Sequence, residues 1–324
     1  MSRAIGLTDG ADGADGADGA DGADGAGGGL LGSLRPPLVR PIGPSPSLGY
    51  ATGEKWFRGN DWPPENTEPP GSTPAADWQV NNIGAFTPLA AGKPKLPPRS
   101  WTGFHFSLVL LTEFAQQPGW PAIDISAHLP TTPADIEKEI KELAALIEFR
   151  PGAMAEALAE RKGIDIYWAG VLGCSRSSHP STFYLMQGAL RVGEFVAMHQ
   201  KNKYQRPRPS QLSPALLPPV DVPGHASYPS AHATEGRLLS LSLGEVLQRA
   251  AAIAPAKPVI PSQPDPLDRI AQRVARNREV LGLHYPSDSA AGRDLATKTF
   301  PIFKACPTVN ALIDAAAAEW REFV

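Results

Sequence analysis

Asp265-Pro266-Leu267-Asp-Arg-Ile270-Ala271-Gln-Arg-Val274-Ala-Arg-Asn277-Arg278-Glu-Val-Leu281-Gly282-Leu-His284-Tyr-Pro286-Ser-Asp288 reads as one helix, a turn, and the start of a second helix. Asp265 and Pro266 cap the start. Leu267, Ile270, Ala271, Val274 and Leu281 recur at helical spacing and define an inward face. Arg278 lies four residues past Val274 and eleven past Leu267, so it falls on that face. A cation on an apolar face needs an anion partner. Two partners are open, a buried Asp or Glu and a bound oxyanion. His284 follows Gly282 and precedes Pro286, which places it in the turn after the helix. Asp288, four residues on, is placed to orient the imidazole, fixing its tautomer and raising its basicity.

Upstream the same periodicity repeats. Phe104 to Phe114 is apolar enough for a buried helix. Thr132-Pro133-Ala-Asp135 is a helix start, followed by Ile136, Ile140, Leu143 and Ile147 on one face, with Glu137, Lys138 and Glu142 outside. Pro151 is expected to end that helix. Further helices are expected over residues 152–162, 164–172, 181–200 and 233–252, and the last over 309–323. No alternating strand pattern appears, so the fold class is all-α: a helical bundle, residues 101–324, that carries the site.

Two segments precede the bundle. Residues 1–34 include an Ala-Asp-Gly triplet repeat with nothing to bury, and are expected to be a disordered tail. The repeat lacks the proline of a collagen strand and the bidentate Glu of a calcium loop. Residues 35–100 are rich in Pro, with Trp56, Phe57, Trp62, Trp78 and Phe86 scattered through, and read as an irregular arm anchored on the bundle by its aromatics.

The formal charge of −3, from 30 basic and 33 acidic residues, gives no electrostatic footprint for nucleic acid. Cys174 and Cys306 are too few for a disulfide framework or a thiolate metal site. There is no run of about 18 apolar residues and no recognisable signal peptide, so the expected protein is soluble and cytoplasmic, without a transmembrane segment. Nothing in the sequence indicates an oligomeric state.

Two more clusters bear on chemistry. Tyr228-Pro229-Ser230-Ala231-His232 puts Ser230 and His232 at the start of a helix, where free backbone N–H groups favour an anion. Ser230 is there as N-cap or as anion ligand, readings that are compatible, and His232 is a candidate general acid. Lys201-Asn-Lys-Tyr-Gln-Arg206-Pro207-Arg208-Pro209 ends a long helix and continues extended, carrying both arginines. By itself a basic helix end merely complements the helix dipole.

Taken together, Lys201-x6-Arg208-Pro209, Pro-Ser-Ala-His at 229–232 and Arg278-x5-His284-x3-Asp288 resemble the three-part signature of the type 2 phosphatidic acid phosphatase and vanadium haloperoxidase superfamily. The resemblance covers about 90 of 324 residues. It implies that Lys201, Arg208, Ser230, Ala231 and Arg278 bind phosphate or vanadate, and that His284 is the nucleophile or vanadium ligand, oriented by Asp288. It makes His232 the acid/base. Two departures stand out: Ala231 where the family usually has Gly, and Asn277 where it usually has Ser. As a phosphatase the protein needs no metal or other cofactor and takes a small-molecule phosphoester. As a haloperoxidase it takes vanadate, halide and peroxide. His225 stands where algal bromoperoxidases carry His, which favours the peroxidase. Met198 stands where haloperoxidases typically have Trp, which counts against it. The phosphatase reading is placed first, with a soluble phosphoester ahead of a membrane lipid. His105, His128, His179 and His199 have no motif around them, although His199 lies two residues before Lys201.

Overall fold

The structure, a computed structural model, describes residues 101–253 and 265–321. The expectations for residues 1–34 and 35–100 lie outside these. The described residues hold ten α-helices, joined by short 3-10 turns, and no strand, so the chain is all-α as its periodicity requires. In chain order they are α1 Gly103–Ala115, α2 Pro133–Ala145, α3 Arg150–Ala159, α4 Asp165–Leu172 and α5 Pro180–Tyr204. Then follow α6 Pro209–Leu212, α7 Ala231–Ile253, α8 Pro266–Val280, α9 Pro286–Ala305 and α10 Pro307–Glu319. None of the described helices is long and apolar enough to cross a membrane.

The helix starts follow from local chemistry. At α2 the Thr132 hydroxyl accepts from the Asp135 N–H at 3.2 Å, and Asp135 Oδ2 accepts from the Thr132 N–H at 3.2 Å, the reciprocal box the sequence announces. The stop differs from expectation. α2 gives way at Leu146 to a 3-10 turn, and Pro151 sits in the first turn of α3 rather than ending α2. A proline at that position loses no intrahelical hydrogen bond, so it opens a helix as readily as it closes one.

α7 is the central helix, packed against α5, α8, α9 and α10, while α5 also meets α1 and α10. Leu185, Val192, Leu238, Leu239, Val274 and Leu295 are among the side chains fully removed from water in the shared core. Each contributes about 1.5–3 kcal/mol by burial. Trp168 of α4 ties three helices together: its indole N–H donates to Ser240 Oγ of α7 at 3.1 Å, and that hydroxyl lies 2.8 Å from the Leu267 carbonyl of α8. The start of α5 is capped from far along the chain. The Glu319 carboxylate of α10 accepts from the backbone N–H groups of Ser181 (2.7 Å) and Thr182 (3.0 Å) and from the Thr182 hydroxyl (2.8 Å).

Two left-handed residues aim the site. Gln205, with φ 50°, ends α5 and turns the chain into the 206–208 segment. Gly282, with φ 74°, follows α8. There the Leu283 N–H donates to the Arg278 carbonyl at 3.0 Å and the Gly282 N–H to the Glu279 carbonyl at 2.8 Å, a Schellman pair that places His284 directly beyond the helix end. Arg150 pins this corner from outside, donating to the carbonyls of Val280 (3.0 Å), Leu217 (2.7 Å) and Leu216 (2.7 Å).

Candidate active site

Three segments meet at the site: the end of α5 with residues 205–208, the first turn of α7, and the α8–α9 turn. Lys201, Arg208, Ser230, His232, His284 and Asp288 are all buried. The Lys201 ammonium donates to the carbonyls of Ala226 (2.7 Å) and Ser227 (3.3 Å), which ties α5 to the segment that leads into α7. Arg208 spreads its guanidinium across the centre. Nε donates to the His225 carbonyl at 3.0 Å, and Nη1 to the Leu283 carbonyl at 3.0 Å. Nη1 also lies 3.0 Å from His284 Nε2, and Nη2 lies 3.1 Å from His225 Nδ1.

The partners of His284 fix its tautomer. A guanidinium only donates, so Nε2, facing Arg208, carries the lone pair. A carboxylate only accepts, so Nδ1, 3.2 Å from Asp288 Oδ2, carries the proton. Burial, then the Arg208 charge, push the imidazole down to about 3, against the pull of Asp288. At neutral pH His284 is therefore an uncharged ring with a directed lone pair. Asp288 is also held by the Tyr285 N–H, which donates to Oδ2 at 3.0 Å. Burial alone would raise its carboxyl, but the His284 hydrogen bond and the Arg206 charge outweigh burial and hold it below the ordinary value.

The first turn of α7 joins this pair through its backbone: the Ser230 N–H donates to the Asp288 carbonyl at 3.0 Å. α9 reaches that close because Gly292 has no side chain. A Cβ there would stand 2.5 Å from the Ser230 carbonyl oxygen. Ser230 Oγ accepts from the Ala233 N–H at 3.4 Å, a long capping contact. Ala231 is not among the described non-glycine residues with positive φ, which are Gln205 and Leu217, so alanine meets no backbone strain there. His232 lies in the first turn of α7, fully removed from water.

Arg278 faces inward, as its spacing requires, and its guanidinium meets the carboxylate the sequence left open. Nη2 lies 2.7 Å from Glu160 Oε2, with both side chains fully buried, and also donates to the Ala157 carbonyl. Asn277 donates to the other oxygen of Glu160 at 2.6 Å. Burial pushes the Glu160 carboxyl up to about 7, against Arg278 and Asn277. A guanidinium has five donors, so pairing with Glu160 is compatible with a second anion. Of the other candidates, His225 sits beside Arg208, whereas Met198 is half-buried. His199 stacks edge-on to Trp120 at 5.0 Å, and His179 lies flat on Trp320 at 4.2 Å.

Sequence reasoning passed over Arg206, Glu139 and Glu160. Arg206 donates to Asp288 Oδ1 and to Glu139 Oε2, each at 2.7 Å. The signal for both acids was present. Glu139 lies three residues past Ile136 and four before Leu143, and Glu160 lies three past Ala157, so each falls on an apolar stripe where a lone carboxylate demands a cation.

No family model matches the chain. Among characterised proteins, the decaprenylphosphoryl-5-phosphoribose phosphatase of Mycobacterium tuberculosis is 32% identical over 176 residues, in strains CDC 1551 / Oshkosh and ATCC 25618 / H37Rv alike. The match spans 53% of this chain and 84% of each relative. The chain belongs to the family of these phosphatases. Both relatives are named as phosphatases.

Proposed function

We propose that the protein is a phosphomonoester hydrolase of the type 2 phosphatidic acid phosphatase kind, working through a phosphohistidine. The observation that carries this reading is the His284 Nε2 lone pair held 3.0 Å from the Arg208 guanidinium. A phosphoryl group drawn to that cation meets the lone pair. Nε2 attacks phosphorus in line, the N–P bond forms, and the ester P–O bond breaks. His232 gives its proton to the departing alkoxide. Water then attacks the phosphohistidine and passes a proton to His232, the N–P bond breaks, and inorganic phosphate leaves. Lys201, Arg208, Arg278, the Ser230 hydroxyl and the Ala231 N–H spread the charge of the equatorial oxygens, an electrostatic task that needs no cofactor.

The named substrate of the relatives is a lipid-linked pentose phosphate. For this chain a water-soluble phosphomonoester is the proposed substrate class. The test is release of phosphate by purified protein from pentose 5-phosphate, from phenyl phosphate and from a polyprenyl-linked sugar phosphate in detergent. His284→Ala is expected to abolish turnover and the acid-labile phosphate trapped on the wild-type protein. His232→Ala is expected to spare the first-turnover release of p-nitrophenolate, a leaving group that needs no protonation, and to slow the release of phosphate from the phosphohistidine. Vanadate is expected to inhibit. Vanadate-dependent bromide oxidation without phosphoester cleavage would overturn the reading, and His225, beside Arg208, would be the next residue to replace.

A further inference from the structure

Arg206 is buried although it lies in a connecting segment. Its Nη1 donates to Asp288 Oδ1 and to Ser287 Oγ, each at 2.7 Å, and its Nη2 to Glu139 Oε2 at 2.7 Å. The other oxygen of Glu139 accepts from the Ser287 N–H at 2.8 Å. The guanidinium carbon lies over the Tyr285 ring, 3.7 Å from its centre. The planar fork therefore closes on acceptors from α2 and from the first turn of α9, with an aromatic floor beneath it.

The geometry points to Arg206, braced by Glu139 and Tyr285, as a positioning residue for the reaction: it holds Asp288 as a carboxylate whose second oxygen keeps the His284 proton on Nδ1 and the lone pair on Nε2. This rests on the reading of His284 as nucleophile. A packing arginine needs one counter-charge. Arg206 instead has two carboxylates and one hydroxyl on a single fork, and one of those carboxylates orients the reacting imidazole. Lysine offers a mobile point charge and no fork.

The charged and titratable groups around this cluster are few. Glu139 faces it from α2, Tyr285 and His284 from the α8–α9 turn, and Tyr228 from the segment before α7. Arg208 and Lys201 act on it through His284. Burial pushes the Tyr285 phenol up to about 12 and raises that of Tyr228 as well, so both stay neutral across the working range. Removing Arg206 takes away a cation beside the His284–Asp288 pair. The pair then binds its proton more tightly, and the acid limb of kcat/KM moves to higher pH.

The experiment uses the full chain labelled with 15N-histidine, phenyl phosphate as substrate, and vanadate as an activity-independent ligand. His284→Gln identifies the His284 signals by their loss. In the wild type, His284 is expected as the Nδ1–H tautomer. Arg206→Gln is expected to move the acid limb up by about one pH unit, to lower kcat more than it raises KM, and to weaken the Nδ1–H signal. Arg206→Lys is expected to restore the acid limb while leaving kcat about tenfold low, because the fork is lost. A wild-type acid limb and tautomer in Arg206→Gln would overturn the inference, as would an Nε2–H tautomer in the wild type. Should Arg206→Gln not fold, Arg206→Lys decides: a tenfold loss in kcat at unchanged KM supports the role, and wild-type kcat sinks it. If no phosphoester is cleaved at all, the phosphatase reading fails by itself. The tautomer and the vanadate affinity of the two variants then still decide what Arg206 does.

Discussion

Two buried arginines, Arg206 and Arg278, each meet a carboxylate at 2.7 Å, yet the two carboxylates respond in opposite directions. Asp288 is held below its ordinary value, whereas Glu160 is pushed up to about 7. Both are fully removed from water, so burial alone does not separate them. The difference lies in company. Asp288, in the first turn of α9, accepts from Arg206, from His284 and from the Tyr285 N–H. Glu160 accepts from Arg278 and Asn277, and it feels the like charge of Glu156. Burial raises a carboxyl, and it takes several donors rather than one cation to overturn that. One carboxylate is locked in a single charge state for orientation, and the other can titrate near neutrality.

The sharpest way to break this contrast is Asp288→Asn. The amide presents a donor where His284 needs an acceptor, so the tautomer is lost. Turnover is expected to fall by about 10²–10⁴-fold with folding retained, read as kcat beside a melting curve. An unchanged kcat would show that Asp288 is no more than a structural acid.

The Glu160 side is probed through stability. Glu160→Ala leaves Arg278 buried without its carboxylate and is expected to cost about 3–5 kcal/mol in urea denaturation. Glu160→Gln sharpens the comparison through pH. The Glu160 carboxyl is raised on folding, so its contribution is complete below the unfolded value of 4.5 and is lost as pH rises through about 7. The penalty of Glu160→Gln should therefore shrink as pH rises through that window. His284 runs the other way. It is depressed from 6.5 to about 3, so its contribution is present above 6.5 and lost as pH falls toward 3. Parallel slopes for Glu160→Gln and His284→Gln would contradict the contrast.

Gly292→Ala acts on the Asp288 side alone, by forcing α9 off the Ser230 carbonyl. A loss of about 1–3 kcal/mol is expected, together with reduced kcat, because the Ser230–Asp288 bond lengthens. The smallest effect is Gly244→Ala. A Cβ there, within α7, meets nothing within 4 Å. It should raise stability by about 0.5–1 kcal/mol and leave kcat alone. If it lowered kcat as Gly292→Ala does, the effect of Gly292 could not be assigned to its contact with Ser230.

Much of the bundle was legible because its helices repeat apolar stripes, and several announce their start with Thr132, Asp265 or a proline. The His284–Asp288 hydrogen bond was legible for a related reason: four residues across a helix start leave little freedom in where the carboxylate can reach. Arg206 and Glu139 were not, because they lie 67 positions apart and no local pattern links a basic connecting segment to an acid on α2. Arg278 was half legible. Its inward face followed from spacing, but choosing Glu160 as its carboxylate needed the packing of α3 on α8. The end of α2 was misjudged because a proline permits both a stop and a start, and only the neighbouring turn decides between them.

The Glu319 carboxylate that caps α5 has a consequence for how the protein is made. α5 begins at Pro180, yet the acid that satisfies its first N–H groups comes 137 and 138 positions later. On the ribosome, the helix that carries Lys201 in its last turn keeps its N-terminus uncapped until α10 has been synthesised and has folded back. The N-terminal cap of the helix that carries Lys201 is thus completed late in synthesis. A nascent chain halted before Glu319 should show faster amide exchange in the first turn of α5 than the full chain does.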